Sequence, residues 1–123
     1  GAPQPLPPPL PEVTGEIAPG QTETGSLRLS PPDQVVRDYW HFTAEAGKGY
    51  VASALIDDKY GDAVLDMVDA TGTSVVGAEV DNTGGGEAET VEFRAEEAGD
   101  YYVAVRTFFL DPGGYTLELQ ETE

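Results

Sequence analysis

Asp57, Asp58 and Asp62 crowd around Gly61 in one short stretch, and carboxylates so placed can hold a hard cation. Calcium takes roughly six to eight oxygens, and backbone carbonyls and water would complete the shell that these aspartates begin. The stretch lacks the spacing of an EF-hand. Two readings therefore stand: a calcium site, or a solvated acidic loop that keeps a sheet edge from pairing. Asp81-Asn82, at the head of a Gly-rich loop, is a fainter candidate of the same kind. His41 is the only histidine, and there is no cysteine. A Ser-His-Asp site would have to bring His41 beside Ser26, Ser30, Ser53 or Ser74, and none of these lies in a Gly-x-Ser-x-Gly elbow. The usual ligand set of a tetrahedral zinc site is missing. Paired carboxylates can hydrolyse glycosides, but among 23 Asp and Glu chance pairs are everywhere and carry little signal. The inventory predicts a protein that is not an enzyme, with calcium as the one cofactor in view.

Whatever contacts this chain makes must be held by short extended elements. Gly99-Asp100-Tyr101-Tyr102-Val103-Ala104-Val105 and Gly113-Gly114-Tyr115-Thr116-Leu117-Glu118-Leu119 share a pattern. In each, glycine lies just before tyrosine, and apolar residues follow at every second position, the mark of a strand with one buried face. Eight strands are read along the chain, at about Glu23–Leu29, Val36–Thr43, Tyr50–Ile56, Ala63–Val68, Ser74–Val80, Glu89–Ala95, Asp100–Thr107 and Tyr115–Gln120. Pro31-Pro32-Asp33, Ala46-Gly47-Lys48-Gly49 and Asp69-Ala70-Thr71-Gly72 separate them as turns. No stretch keeps a helical period for more than two turns. Many short strands with turn signals every ~8–12 residues read as an all-β protein, an eight-stranded antiparallel β-sandwich of jelly-roll type.

Seven of the ten prolines fall before residue 20, so residues 1–21 read as an extended, polyproline-like spacer. Residues 22–123 then form the sandwich domain. Trp40, Phe42, Tyr50, Phe93, Tyr101 and Tyr115 supply its core. Tyr39 and His41 alternate with Trp40 and Phe42, so they face solvent or a partner. Phe108-Phe109-Leu110 runs into Asp111-Pro112-Gly113-Gly114, and alternation cannot bury all three apolar residues. Phe108 and Phe109 either cap the end of the core or make contact with a protein or polysaccharide partner.

The net charge is −17 at pH 7, from 23 acids against six Lys and Arg. Such a surface repels phosphate backbones and anionic lipid, which excludes nucleic acid as a partner. It suits a solubilising role, including adaptation to high salt, a cation site, or a basic partner. No apolar run approaches the ~20 residues of a membrane span, so no membrane insertion is expected. A monomer is expected.

Four stretches, in order, give the chain a family resemblance. They are Asp38-Tyr39-Trp40-His41-Phe42-Thr43-Ala44-Glu45-Ala46-Gly47-Lys48-Gly49-Tyr50, the run from Asp62 to Gly72, Ala98-Gly99-Asp100-Tyr101-Tyr102-Val103-Ala104-Val105, and Gly114-Tyr115-Thr116-Leu117-Glu118-Leu119. Together they resemble the bacterial pre-peptidase C-terminal domain, a relative of the collagen-binding domains of clostridial collagenases. The resemblance implies a jelly-roll sandwich, non-catalytic and secreted, periplasmic or on the cell surface. It would be appended to an exported hydrolase as a binding module or an aid to export and folding. The alternative is a stand-alone envelope or periplasmic protein that binds a protein or glycan, with a carboxylate-based hydrolase behind both. The chain departs from the family at Val64, where a second acid is common. Glu12 and Glu16 lack a neighbouring Asn-Asp pair, so the resemblance does not extend to a collagenase-type calcium site or to collagen binding.

Overall fold

The computed structural model describes residues 13–27, 37–56, 63–77, 79–80, 87–107 and 113–122. They contain β1 (Val13–Glu16), β2 (Gln21–Leu27), β3 (Asp38–Ala44), β4 (Gly49–Ile56), β5 (Ala63–Asp69), β6 (Glu89–Arg94), β7 (Gly99–Thr107) and β8 (Gly113–Thr122). Two four-stranded sheets face each other, one in the order β1-β3-β7-β5 and the other β2-β8-β4-β6. The fold is the all-β sandwich that the alternation predicts. Its pairs are antiparallel except β1 with β3, which run parallel.

Period-two patterning places the core. β3 buries Trp40, Phe42 and Ala44 on its inner face and turns Tyr39, His41 and Thr43 outward. Opposite it, β4 buries Tyr50, Ala52, Ala54 and Ile56, and β8 buries Tyr115, Leu117 and Leu119. Each large side chain buried in this way contributes roughly 1.5–3 kcal/mol. Of the expected core aromatics, Trp40, Phe42, Tyr50 and Tyr115 are buried, while Phe93 and Tyr101 pack against the cluster half-buried. Ring contacts connect Phe42 to Tyr50 at 5.3 Å and Phe93 to Tyr101 at 4.8 Å. Tilted pairs at such distances suit the quadrupoles of the rings.

The structure differs from the sequence reading at two elements. Ser74–Val80 is not a ladder strand. Its described residues meet β5 through isolated bridges at Val68 with Ser74 and Leu65 with Val80, and Val75 N–H donates to Met67 O at 2.8 Å. The run breaks where Gly77 adopts φ +100°, far from the negative φ of regular extended backbone. Ser74 is also diverted, donating its hydroxyl to Asp66 Oδ1 at 2.7 Å. The second difference lies within residues 1–21, read as spacer. There Val13–Glu16 joins the sheet, and Ile17 enters the core at 3% exposure.

β1 can lie so close because Gly15 faces the Trp40 ring. A Cβ on Gly15 would sit 2.6 Å from Trp40 Cζ3. Gly25 on β2 makes the same kind of approach to the Tyr115 ring and hydroxyl. The turn after β5 forms as its residues predict. Asp69 Oδ1 accepts from Thr71 N at 2.9 Å, Thr71 Oγ1 at 2.6 Å and Thr73 N at 3.1 Å. The Thr71 hydroxyl bond, above all, holds the Asp69 carboxyl below the usual range.

Candidate functional site

Period-two alternation sends Tyr39 and His41 to the outer face of the β1-β3-β7-β5 sheet. Register then decides their neighbours. His41 lies opposite Glu16 on β1 and Tyr102 on β7. Asp100, two residues before Tyr102, reaches the same ring diagonally. His41 Nδ1 lies 3.0 Å from Glu16 Oε1, and Nε2 lies 2.8 Å from Asp100 Oδ1. Both contacts suit an N–H donor, and a ring donates from both nitrogens only when protonated. Burial alone would lower the histidine's affinity for its proton. The bonds to Asp100 and Glu16, with the charges of both acids, outweigh that, and the pKa is raised above its ordinary value. The Tyr102 ring stands 5.4 Å away, tilted, and covers one side of the imidazole.

Beside this cluster the turn between β1 and β2 overhangs β3. It leaves an open groove of about 310 Å³, lined by Glu16, Ile17, Pro19, Gln21, His41 and Thr43 among others. Tyr39 lies further along the same face, half-buried, and its backbone N–H donates to Thr14 Oγ1 at 3.0 Å.

Two polar groups lie deeper. Asp38 is 4% exposed and faces the interior. Its Oδ2 accepts from the Tyr115 hydroxyl at 2.6 Å, and that hydroxyl oxygen accepts from Trp40 Nε1 at 2.7 Å. Burial first, and the neighbouring Asp38 second, push the Tyr115 phenol well above its ordinary range. Glu79, in the segment that follows β5, accepts from Arg106 Nε at 2.6 Å and from Arg37 Nη2 at 3.3 Å. Burial would raise the Glu79 carboxyl, but the Arg106 and Arg37 bonds and charges hold it below the usual range.

None of this assembles a nucleophile. His41 spends both ring nitrogens on carboxylates, so the geometry gives it no hydroxyl to activate. Among the described residues, no group of three or more His, Asp and Glu is placed to hold a metal ion. No helix of those residues is long and apolar enough to cross a membrane. Asp57, Asp58 and Asp62, read as calcium ligands, lie outside the described residues, as do Phe108 and Phe109. Tyr39 and His41 do share one face. Sequence reasoning did not connect Glu16 and Asp100 to His41. Asp100 stood in view within Gly99-Asp100-Tyr101, but only the β3–β7 register assigns it a partner. Glu16 pairs across 25 positions and leaves no local signal.

The model of the bacterial pre-peptidase C-terminal domain matches residues 36–107, more than half of the chain. The chain belongs to this family. Three of the stretches that carry the resemblance now have places in the fold: β3 to β4, β5 with its turn, and β7. The fourth, in β8, lies beyond the matched residues. The sandwich of this chain is similar to the pre-peptidase C-terminal domain of the Bacillus anthracis collagenase. The two share 20% identity and a TM-score of 0.63 over 89% of this chain and 97% of that one. It is also similar to Aeromonas hydrophila PliG, a periplasmic inhibitor of g-type lysozyme. There the identity is 16% and the TM-score 0.53, over 83% of this chain and 85% of that one. At these identities the likeness is one of fold. No curated protein matches the chain. Domains of this family are non-catalytic accessory modules of secreted proteases.

Proposed function

We propose that this chain is a non-catalytic accessory module of a secreted hydrolase, which binds a protein or glycan partner or aids export and folding of the enzyme it accompanies. The observation that carries the reading is the family match over residues 36–107. The engaged state of His41 supports it, since the one imidazole of the chain serves structure rather than chemistry. The outer face at Tyr39 and His41 is one contact surface, and the Phe108–Phe109 segment is the other. Calcium at Asp57, Asp58 and Asp62 belongs to the same proposal. Ligands that repel one another when empty gain from a cation, so millimolar calcium raises the melting temperature by linkage. Asp58→Asn with Asp62→Asn abolishes the rise. An unchanged melting temperature at constant ionic strength removes calcium from the account.

The reading as a whole is tested at the gene. It expects a hydrolase domain encoded in the same open reading frame and a signal peptide ahead of it. A second reading is a stand-alone periplasmic or envelope protein that binds a protein partner, and the fold shared with PliG is compatible with it. A lone signal peptide joined to this domain would select that second reading.

A further inference from the structure

His41 is the one side chain that connects three neighbouring strands through side-chain bonds among the described residues. It sits on β3 and bonds Glu16 of β1 and Asp100 of β7. β1 is the weakest member of its sheet: four residues, at the edge, in the less stable parallel pairing, with one register shift. What β1 covers is specific. Its Gly15 lies against the indole of Trp40, the only tryptophan of the chain, which is 6% exposed.

We propose that the Glu16–His41–Asp100 bridge is a pH-operated latch, which fastens β1 over Trp40 while the ring carries both protons and loosens it when one proton leaves. A neutral imidazole has one N–H and one lone pair. Held between two carboxylates it keeps one bond and turns its lone pair on the other acid. Glu16, with its side chain 79% exposed, is the partner free to swing away. Among the described residues the groups that face the ring are two acids and neutral side chains, so no second cation takes over its charge. β1 presents Glu16, β7 presents Asp100 and the phenol of Tyr102, and β3 itself presents Tyr39. In the next strand of the same row stands Val68, which carries no charge. Among the described residues, neither Glu16 nor Asp100 forms an ion pair with lysine or arginine.

The sign follows from linkage. A histidine that holds its proton more tightly in the folded state stabilises that state fully below its unfolded value, near ~6.5. The contribution disappears as pH rises through the raised folded value. Ile17 stays anchored by its burial and by its N–H bond to His41 O at 2.9 Å. Loosening therefore releases Val13–Glu16 from β3 while Ile17 stays in place. The latch thus sets how firmly β1 covers Trp40 according to the acidity of the medium.

One titration reads both ends of the latch in the full chain. The single histidine gives one proton-NMR titration curve without assignment. Trp40 fluorescence reports the cover through quenching by acrylamide, a neutral quencher that the strongly negative surface does not repel. The titration runs from about pH 5.5 to 8.5, a range that brackets the ordinary histidine value of ~6.5. The His41 midpoint is expected above ~6.5, with the quenching constant rising across that midpoint. His41→Gln should show the higher, pH-independent quenching throughout. Glu16→Gln is the decisive variant, because the amide it introduces can donate to the lone pair of the neutral ring. It should keep quenching low at every pH and flatten the curve, at an exposed position that does not threaten the fold. Quenching that stays level in the parent chain while His41 titrates would overturn the latch. So would a His41 midpoint at or below the ordinary value, or an unchanged pH dependence in Glu16→Gln.

Discussion

Tyr115 ties the two sheets together through one oxygen. It stands on β8, and both of its hydroxyl partners, Asp38 and Trp40, stand on β3 across the sandwich. A tyrosine at a strand start was legible in the sequence. Its partner Asp38 was not, because a carboxylate at an inward position contradicts the rule that charges stay outside. Tyr115→Phe removes the donor and leaves the Asp38 carboxylate buried without it. The expected loss is about 1–3 kcal/mol in urea unfolding, the penalty of an unsatisfied buried group. Adding Asp38→Val should restore part of that loss, since removing both partners of a buried pair is far milder than removing one. A double variant less stable than Tyr115→Phe by the full cost of a second lesion would show that the pair does not act as a unit. Trp40→Ala should cost about 3–5 kcal/mol, as large aromatic truncations in cores do.

The two elements that the sequence reading placed differently teach opposite lessons. Ser74–Val80 was read as a strand because Val75, Val76 and Val80 are apolar and β-branched, and that much is visible in composition. What composition does not show is the backbone of Gly77, whose φ of +100° turns the segment away from a continuous ladder. The valines still pack against the core, so their burial was legible though their geometry was not. β1 was hidden for the converse reason. Prolines surround it, and Gly15 interrupts any apolar alternation, because its role is to leave room for Trp40. A parallel pairing with a strand some 25 positions away adds no local signal. Gly15→Ala therefore tests this element. The added methyl meets a rigid indole, so β1 must shift, and overpacking of this kind costs about 1–3 kcal/mol. The melting temperature should fall and acrylamide should quench Trp40 more readily than in the parent chain. An unchanged melting temperature together with unchanged quenching would place β1 further from Trp40 than the structure has it.

At the scale of the molecule, the class of fold was legible because alternation, turn residues and the absence of helical periodicity all agreed. The loops were legible only as composition. The surface carries a net charge of −17 on 123 residues, and self-repulsion of that size opposes the compact state. Of the few cations, Lys48 is held by Glu45 and Glu121, and Arg37 and Arg106 share Glu79. Screening should therefore stabilise the chain. Raising sodium chloride from ~10 mM to ~0.5 M shortens the Debye length from roughly 30 Å to under 8 Å, and the melting temperature should rise. A fall over that range would mean that the exposed ion pairs outweigh the repulsion, against the small value such pairs usually have. The central claim, that this sandwich is an accessory module without chemistry of its own, meets its most direct test in a turnover assay. The purified chain is offered peptide and glycoside substrates over a range of pH, with and without calcium. The account predicts no turnover under any of these conditions. Robust turnover that is lost on changing a single carboxylate would contradict it.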